Sequence, residues 1–117
     1  VTDDNHASVT EGNWRFDINQ SIGNTKAKYR AYMLAGGLWN VRQRGKVNPN
    51  YFVVYDNGSY AHIYYDDIQV LTLYTQDAGA WGSAGAYASA CVDMLRNWAV
   101  IANENDAKAV AKDKKKK

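Results

Sequence analysis

The dipeptide Asn57-Gly58 lies between two β-rich runs, YFVVYD and SYAHIYY, and constrains the fold more than any other pair in the chain. Asn-Gly between such runs is the strongest short-range signal for an antiparallel hairpin. If these two residues form the loop of a type I′ turn, Asp56 pairs with Ser59, Tyr55 with Tyr60, Val53 with His62 and Tyr51 with Tyr64. Directly opposed residues share a face. One face then carries Tyr51, Val53, Tyr55, Tyr60, His62 and Tyr64, and the other carries Phe52, Val54, Ala61, Ile63 and Tyr65. The second set is the drier and is expected to face the core.

A third strand, IQVLTLYT (68–75), follows through a tight turn at Asp66-Asp67. Strict alternation would add Gln69, Leu71 and Leu73 to the tyrosine face, and Ile68, Val70, Thr72 and Tyr74 to the dry face. Upstream, NWRFDIN (13–19) alternates Trp14, Phe16 and Ile18 with Arg15 and Asp17, the period of a half-buried strand. Two longer segments have helical spacing. In 25–46, Ala27, Ala31, Leu34, Leu38 and Val41 form an apolar stripe that Tyr32, Ala35 and Trp39 widen, and Gly45 is a natural stop. Gly36-Gly37 inside it points to a kink or a close crossing with another backbone. From residue 86 onward, Tyr87, Ala88, Cys91, Leu95, Trp98, Ile101 and Ala102 line one side of a second helix.

The element order is β-α-β-β-β-α, which reads as an α+β fold with a three- to four-stranded antiparallel meander packed with two main helices. At 117 residues with 46% hydrophobic and 22% charged side chains, the chain forms one domain with a real core, and wholesale disorder is excluded. Residues 1–12 are polar and aperiodic and read as a flexible arm, 13–106 as the domain, and 107–117 as a lysine-rich tail. The sequence opens on Val1 rather than Met, so an extracytoplasmic or secreted mature protein is expected. No apolar stretch approaches the ~18 residues of a membrane span.

Little in the chain points to catalysis. Cys91 is the only cysteine, so there is neither an intramolecular disulfide nor a CxxC zinc site. Its neighbours on the helical stripe are core types, and a buried, inert thiol is expected. His62 is the one candidate general base, but the hairpin register surrounds it with tyrosine and aliphatic carbon and leaves the aspartates at turns and strand ends. His6 lies in the polar arm, and no second histidine stands at ligand spacing from His62, so no metal site or cofactor is expected. Asp66-Asp67 reads as a solvated turn.

Charge is segregated. Residues 18–55 carry six bases and no acid, 56–106 carry seven acids and one base, and the last eleven carry six lysines. One reading is therefore nucleic-acid binding through the basic helix 25–46 and the lysine tail, which would hold any polyanion weakly. The reading favoured over it, and over a small enzyme using His62, is a non-enzymatic binding or assembly module. Nine tyrosines and four tryptophans fit such a role, because amphipathic aromatics suit surfaces that meet something. Its contact residues would be Tyr51, Tyr55, Tyr60, His62 and Tyr64, with Arg42, Arg44 and Lys46 steering a protein partner or a second copy. A face of that kind can also be covered inside the monomer, by the C-terminal helix or the Trp14 strand, or can stack a flat ligand or a sugar.

Overall fold

The computed structural model describes residues 6–115, with side chains through residue 109. The first five residues and the side chains of most of the lysine tail lie outside it. The fold is α+β, with a two-stranded and a three-stranded antiparallel sheet. Strand β1 (Ala7–Glu11) pairs with β2 (Trp14–Ile18), and helix α1 (Ala27–Gln43) follows. Then come β3 (Phe52–Asp56), β4 (Tyr60–Tyr65) and β5 (Ile68–Tyr74) as a meander in that order. A short helix α2 (Thr75–Ala78) leads to the long helix α3 (Ala84–Lys115).

The alternation read in 13–19 is present: Trp14, Phe16 and Ile18 are buried and Arg15 and Asp17 exposed. Residues 7–11, read as part of a flexible arm, instead form β1. They sit opposite β2 with Ala7 against Ile18, Val9 against Phe16 and Glu11 against Trp14. Their inward row is small or polar, so a period-two signal is nearly invisible in the sequence. Glu11 accepts hydrogen bonds from Arg42 and Asn105 and so holds the hairpin to both main helices.

The β3–β4 register differs from the sequence reading by two residues. Tyr55 opposes His62, Val53 opposes Tyr64, and the Asn57 N–H donates to the Tyr60 carbonyl. The loop residues are therefore Gly58 and Ser59. A type I′ loop at Asn57-Gly58 would need positive φ at both residues. Here Gly58 has φ 90°, and Asp66 is the one non-glycine residue with positive φ among those described. Gly58 takes the first loop position, and Asn57 closes the ladder with its side chain donating to the Tyr60 hydroxyl. A two-residue slip preserves the faces, so Phe52, Ala61, Ile63 and Tyr65 are buried as expected.

The β4–β5 pairing holds a correction of larger consequence. The Asp66-Asp67 turn is tight, with Tyr65 opposite Ile68 and Tyr64 opposite Gln69. A bulge at Val70 then shifts the register, so Ile63 faces Leu71 and His62 faces Thr72. Leu71 and Leu73 thus enter the core, and Thr72 and Tyr74 move to the tyrosine face, the reverse of strict alternation. Both Val70 and Leu71 are buried, because β5 serves two neighbours. Val70 meets α1, and Leu71 and Leu73 join the layer under the sheet, where α3 contributes Cys91, Leu95 and Trp98. An extra residue that re-aims side chains is what a bulge supplies.

Helix α1 crosses β5 at Gly37. A methyl group there would stand 3.2 Å from the Val70 Cα and 3.3 Å from its carbonyl oxygen, whereas one at Gly36 meets nothing within 4 Å. The glycine pair is thus a close crossing at its second member only. Arg30 lies in phase with the buried residues Ala27, Leu34, Gly37 and Val41 and is itself buried. Its guanidinium donates to both Asp77 oxygens at 2.7 Å and to the carbonyls of Gln20 and Thr72. Asp77 also accepts the Tyr74 N–H, so the pair locks α1 to the end of β5 and the start of α2.

Two stability measurements follow from these contacts. Gly36→Ala should raise the unfolding free energy by up to about 1 kcal/mol through helix propensity. Gly37→Ala should lower it by about 1 kcal/mol, because overpacking against bulge backbone outweighs that gain. Denaturant titration checks the order, and a Gly37→Ala protein as stable as Gly36→Ala would remove the close crossing. Asp77→Ala strands a buried guanidinium and should cost about 3–5 kcal/mol, while the paired Arg30→Met/Asp77→Leu change should cost clearly less.

Candidate functional site

The tyrosine face of the three-stranded sheet is open. Helix α3 packs on the opposite side, and the Trp14 strand is held against α3 by a hydrogen bond from the indole N–H to the Met94 carbonyl. Neither covers the face. Tyr55 is 60% exposed and Val53 42%, and Tyr60, His62 and Tyr64 are half-buried. The rings form a row in edge contact: Tyr55 with Tyr64 at 5.3 Å, Tyr64 with His62 at 6.2 Å, and His62 with Tyr60 at 5.1 Å. Tyr74, brought to this face by the bulge, extends the row from Tyr60 and lies over the buried Arg30. Tyr51 is set apart. It belongs to the turn Pro49–Tyr51 before β3, and its ring packs on Tyr65.

Beside the row lies a short polar chain. The Gln69 amide donates to the Thr72 hydroxyl at 2.8 Å, Thr72 Oγ1 is 2.7 Å from His62 Nδ1, and the Tyr64 hydroxyl donates to Gln69 Oε1. No carboxylate bonds to His62, and its Nε2 has no hydrogen-bond partner among the described residues. The group pairs a hydroxyl with an imidazole but lacks the carboxylate that orients the histidine in an acyl-transfer triad. Among the described residues no cluster of three or more His, Cys, Asp or Glu side chains could hold a metal ion.

The face continues into a groove of about 680 Å³ between the sheet and α1, with Met33, Gly36 and Asn40 on the helix side and His62, Gln69, Thr72 and Tyr74 on the strand side. The outer surface of α1 carries Tyr29, Tyr32, Met33 and Trp39, each half or more exposed. The sequence reading treated Tyr32, Ala35 and Trp39 as a widened core stripe. They form a second face, turned to solvent, and the signal was present as apolar residues on both sides of one helix.

Two of the three basic residues expected to steer a partner are occupied within the chain. Arg42 is held between Glu11 and Asp106, and the Asp106 hydrogen bond pushes its pKa further up. Arg44 pairs with Asp67 and Asp66, and Arg44 holds the Asp67 carboxyl below the usual aspartate range. The Asp66-Asp67 turn is therefore an ion-pair site as well as a solvated turn. Lys46 is exposed. With Arg30 paired to Asp77, both arginines of α1 and Arg44 just beyond its end face carboxylates of the same chain. The lysine-tail part of the polyanion reading rests largely on side chains outside the described residues.

Cys91 is fully buried, and burial pushes its thiol up to about 12 despite a hydrogen bond with Tyr87. Burial raises the Tyr87 hydroxyl to about 12 as well. Both groups are neutral at pH 7, and unfolding would return them to ordinary values near 9 and 10. Their stabilisation is complete below those values and is lost as pH rises toward 12. The unfolding midpoint should therefore fall from about pH 9 upward, and Cys91→Ala should delay the onset. A thiol reagent should label the wild-type protein only under unfolding conditions.

No helix among the described residues is long and apolar enough to cross a membrane. Comparison of the chain with family models, with curated proteins and with solved structures gives no match to any of them.

Proposed function

We propose that the chain is a non-enzymatic binding module whose partner is a protein, held across the groove between α1 and the tyrosine face. One observation carries the reading: Met33 of α1, exposed to solvent, and His62 and Tyr74 of the sheet's ring row line the same groove, so the aromatic row continues onto an apolar helix wall. A contiguous apolar surface of this kind is uncommon on a monomer and usually meets something. Tyrosine and tryptophan are favoured anchors of protein interfaces.

The lining supports a neutral partner surface. Gln69, Thr72, His62 and Asn40 offer amide, hydroxyl and imidazole groups, and the one guanidinium in the groove is matched by Asp77. Long-range attraction of acidic partners by Arg42 and Arg44 is weak, because each already faces two carboxylates. The same pairing gives little support to the nucleic-acid reading, which needs unmatched basic charge.

The test places a photocrosslinking p-benzoylphenylalanine at Gln69 in one variant and at Asn40 in another, the exposed residues on the strand and helix sides of the groove, in extracts of the source organism. Both should capture the same polypeptide, and Met33→Asp, in the same groove, should abolish both adducts without shifting the unfolding midpoint. Different adducts at the two positions, or adducts that survive Met33→Asp, would overturn the reading.

A further inference from the structure

The three-stranded sheet has two unlike edges. The β5 edge bears the bulge and is crossed by α1 at Gly37. The β3 edge, FVVYD, has no lysine, proline or bulge, and its one charge, Asp56, stands at the strand end with its carboxylate turned to Gly85 of α3. The direction of its free backbone groups follows from the ladder. The Asn57 N–H bonds to the Tyr60 carbonyl at one end, and the Asp66 N–H bonds to the Tyr51 carbonyl at the other. Hydrogen-bonded pairs alternate along an antiparallel ladder, so Val53 and Tyr55 point their backbone groups at β4. Val54 and Asp56 then point theirs outward, together with the Phe52 carbonyl. These outward groups have no partner among the described residues.

From this edge we infer that the chain forms a symmetric dimer by antiparallel pairing of β3 with β3 of a second copy, about a two-fold axis through Val54. That register is the one in which the free groups match: Val54 exchanges both bonds with its own equivalent, and each Asp56 N–H reaches the other copy's Phe52 carbonyl. About four inter-strand hydrogen bonds result. In the same register Val53 of each copy stands beside Tyr55 of the other as a close, non-hydrogen-bonded pair. β-Branched and aromatic residues favour one another there. Both side chains are exposed in the monomer. The charges are compatible, because the two Asp56 carboxylates fall at opposite ends of the paired strands.

A two-fold axis of this kind stands perpendicular to the sheet. It makes one six-stranded sheet and keeps both tyrosine faces on the same side. Val53 and Tyr55 touch both surfaces, but the dimer is held by the backbone edge and the partner by the groove, so Val54→Pro and Met33→Asp separate the two readings.

Sedimentation equilibrium from micromolar to millimolar protein should give a monomer–dimer equilibrium. Val54→Pro removes an outward N–H and no ladder bond, a position where an edge strand tolerates proline. It should leave the protein monomeric with an unchanged far-UV spectrum. Because proline could also disturb the strand, amide exchange on the wild-type protein gives an independent readout. The Val54 and Asp56 amides should slow by about tenfold or more at high concentration and speed up on dilution. The Val53 and Tyr55 amides should be slow at both. A monomer at every concentration overturns the inference. So does a dimer in which Val54 and Asp56 exchange equally fast throughout, or one that tolerates Val54→Pro but is lost in Met33→Asp.

Discussion

The arrangement around the groove depends on the buried pair of Arg30 and Asp77. Both side chains are 7% exposed. Desolvating two charges is costly, and their attraction offsets that cost only when geometry is good and the remaining donors are satisfied. Here the guanidinium meets two carboxylate oxygens and two main-chain carbonyls, from three different points of the chain. Gln20 lies before α1, Thr72 on β5 and Asp77 in α2. The pair therefore fixes where α1 starts relative to where β5 ends. It also puts a cation beneath Tyr74, at one end of the aromatic row.

The second constraint is the crossing of α1 over β5. A helix lying against a sheet margin needs a small residue where the backbones approach, and Gly37 is that residue. The bulge at Val70 is the other half of the same contact. It turns one side chain toward α1 and restores the next, Leu71, to the layer shared with α3. Without it, β5 would bury either its α1 side or its α3 side. The same displacement carries Thr72 to His62 and Tyr74 to Tyr60. The polar chain and the outer end of the aromatic row are therefore products of the packing of α1.

These two features explain what was legible in the sequence. Element order and the burial of Phe52, Ile63 and Tyr65 followed from period-two and helical spacing, because each of those segments buries one continuous face. The β3–β4 register was misplaced by two residues with no effect on the faces, since side-chain direction repeats every second residue. The bulge was not legible. IQVLTLY alternates no worse than a regular strand, and the reason for the extra residue lies in α1, some thirty residues upstream. Strand β1 was hidden for a different reason, because its inward row of Ala7, Val9 and Glu11 is too small or polar to stand out. Arg30 and the outward aromatics of α1 left a trace: a charge within the apolar stripe, and aromatics outside it.

The candidate site itself was half legible. The hairpin placed Tyr55, Tyr60, His62 and Tyr64 on one face, and they are there. What the hairpin could not supply was the wall opposite them, which turns a flat aromatic patch into a concave one. Sequence also places charges without pairing them. The basic segment 18–55 looks like an unopposed field, yet in the fold Arg30, Arg42 and Arg44 each meet acids from blocks distant in sequence. Charge spent inside the molecule is not available to draw a partner from a distance. Recognition at this groove would then depend on contact, through ring faces and neutral hydrogen-bonding groups. Binding there should vary little with ionic strength, unlike binding driven by exposed charge.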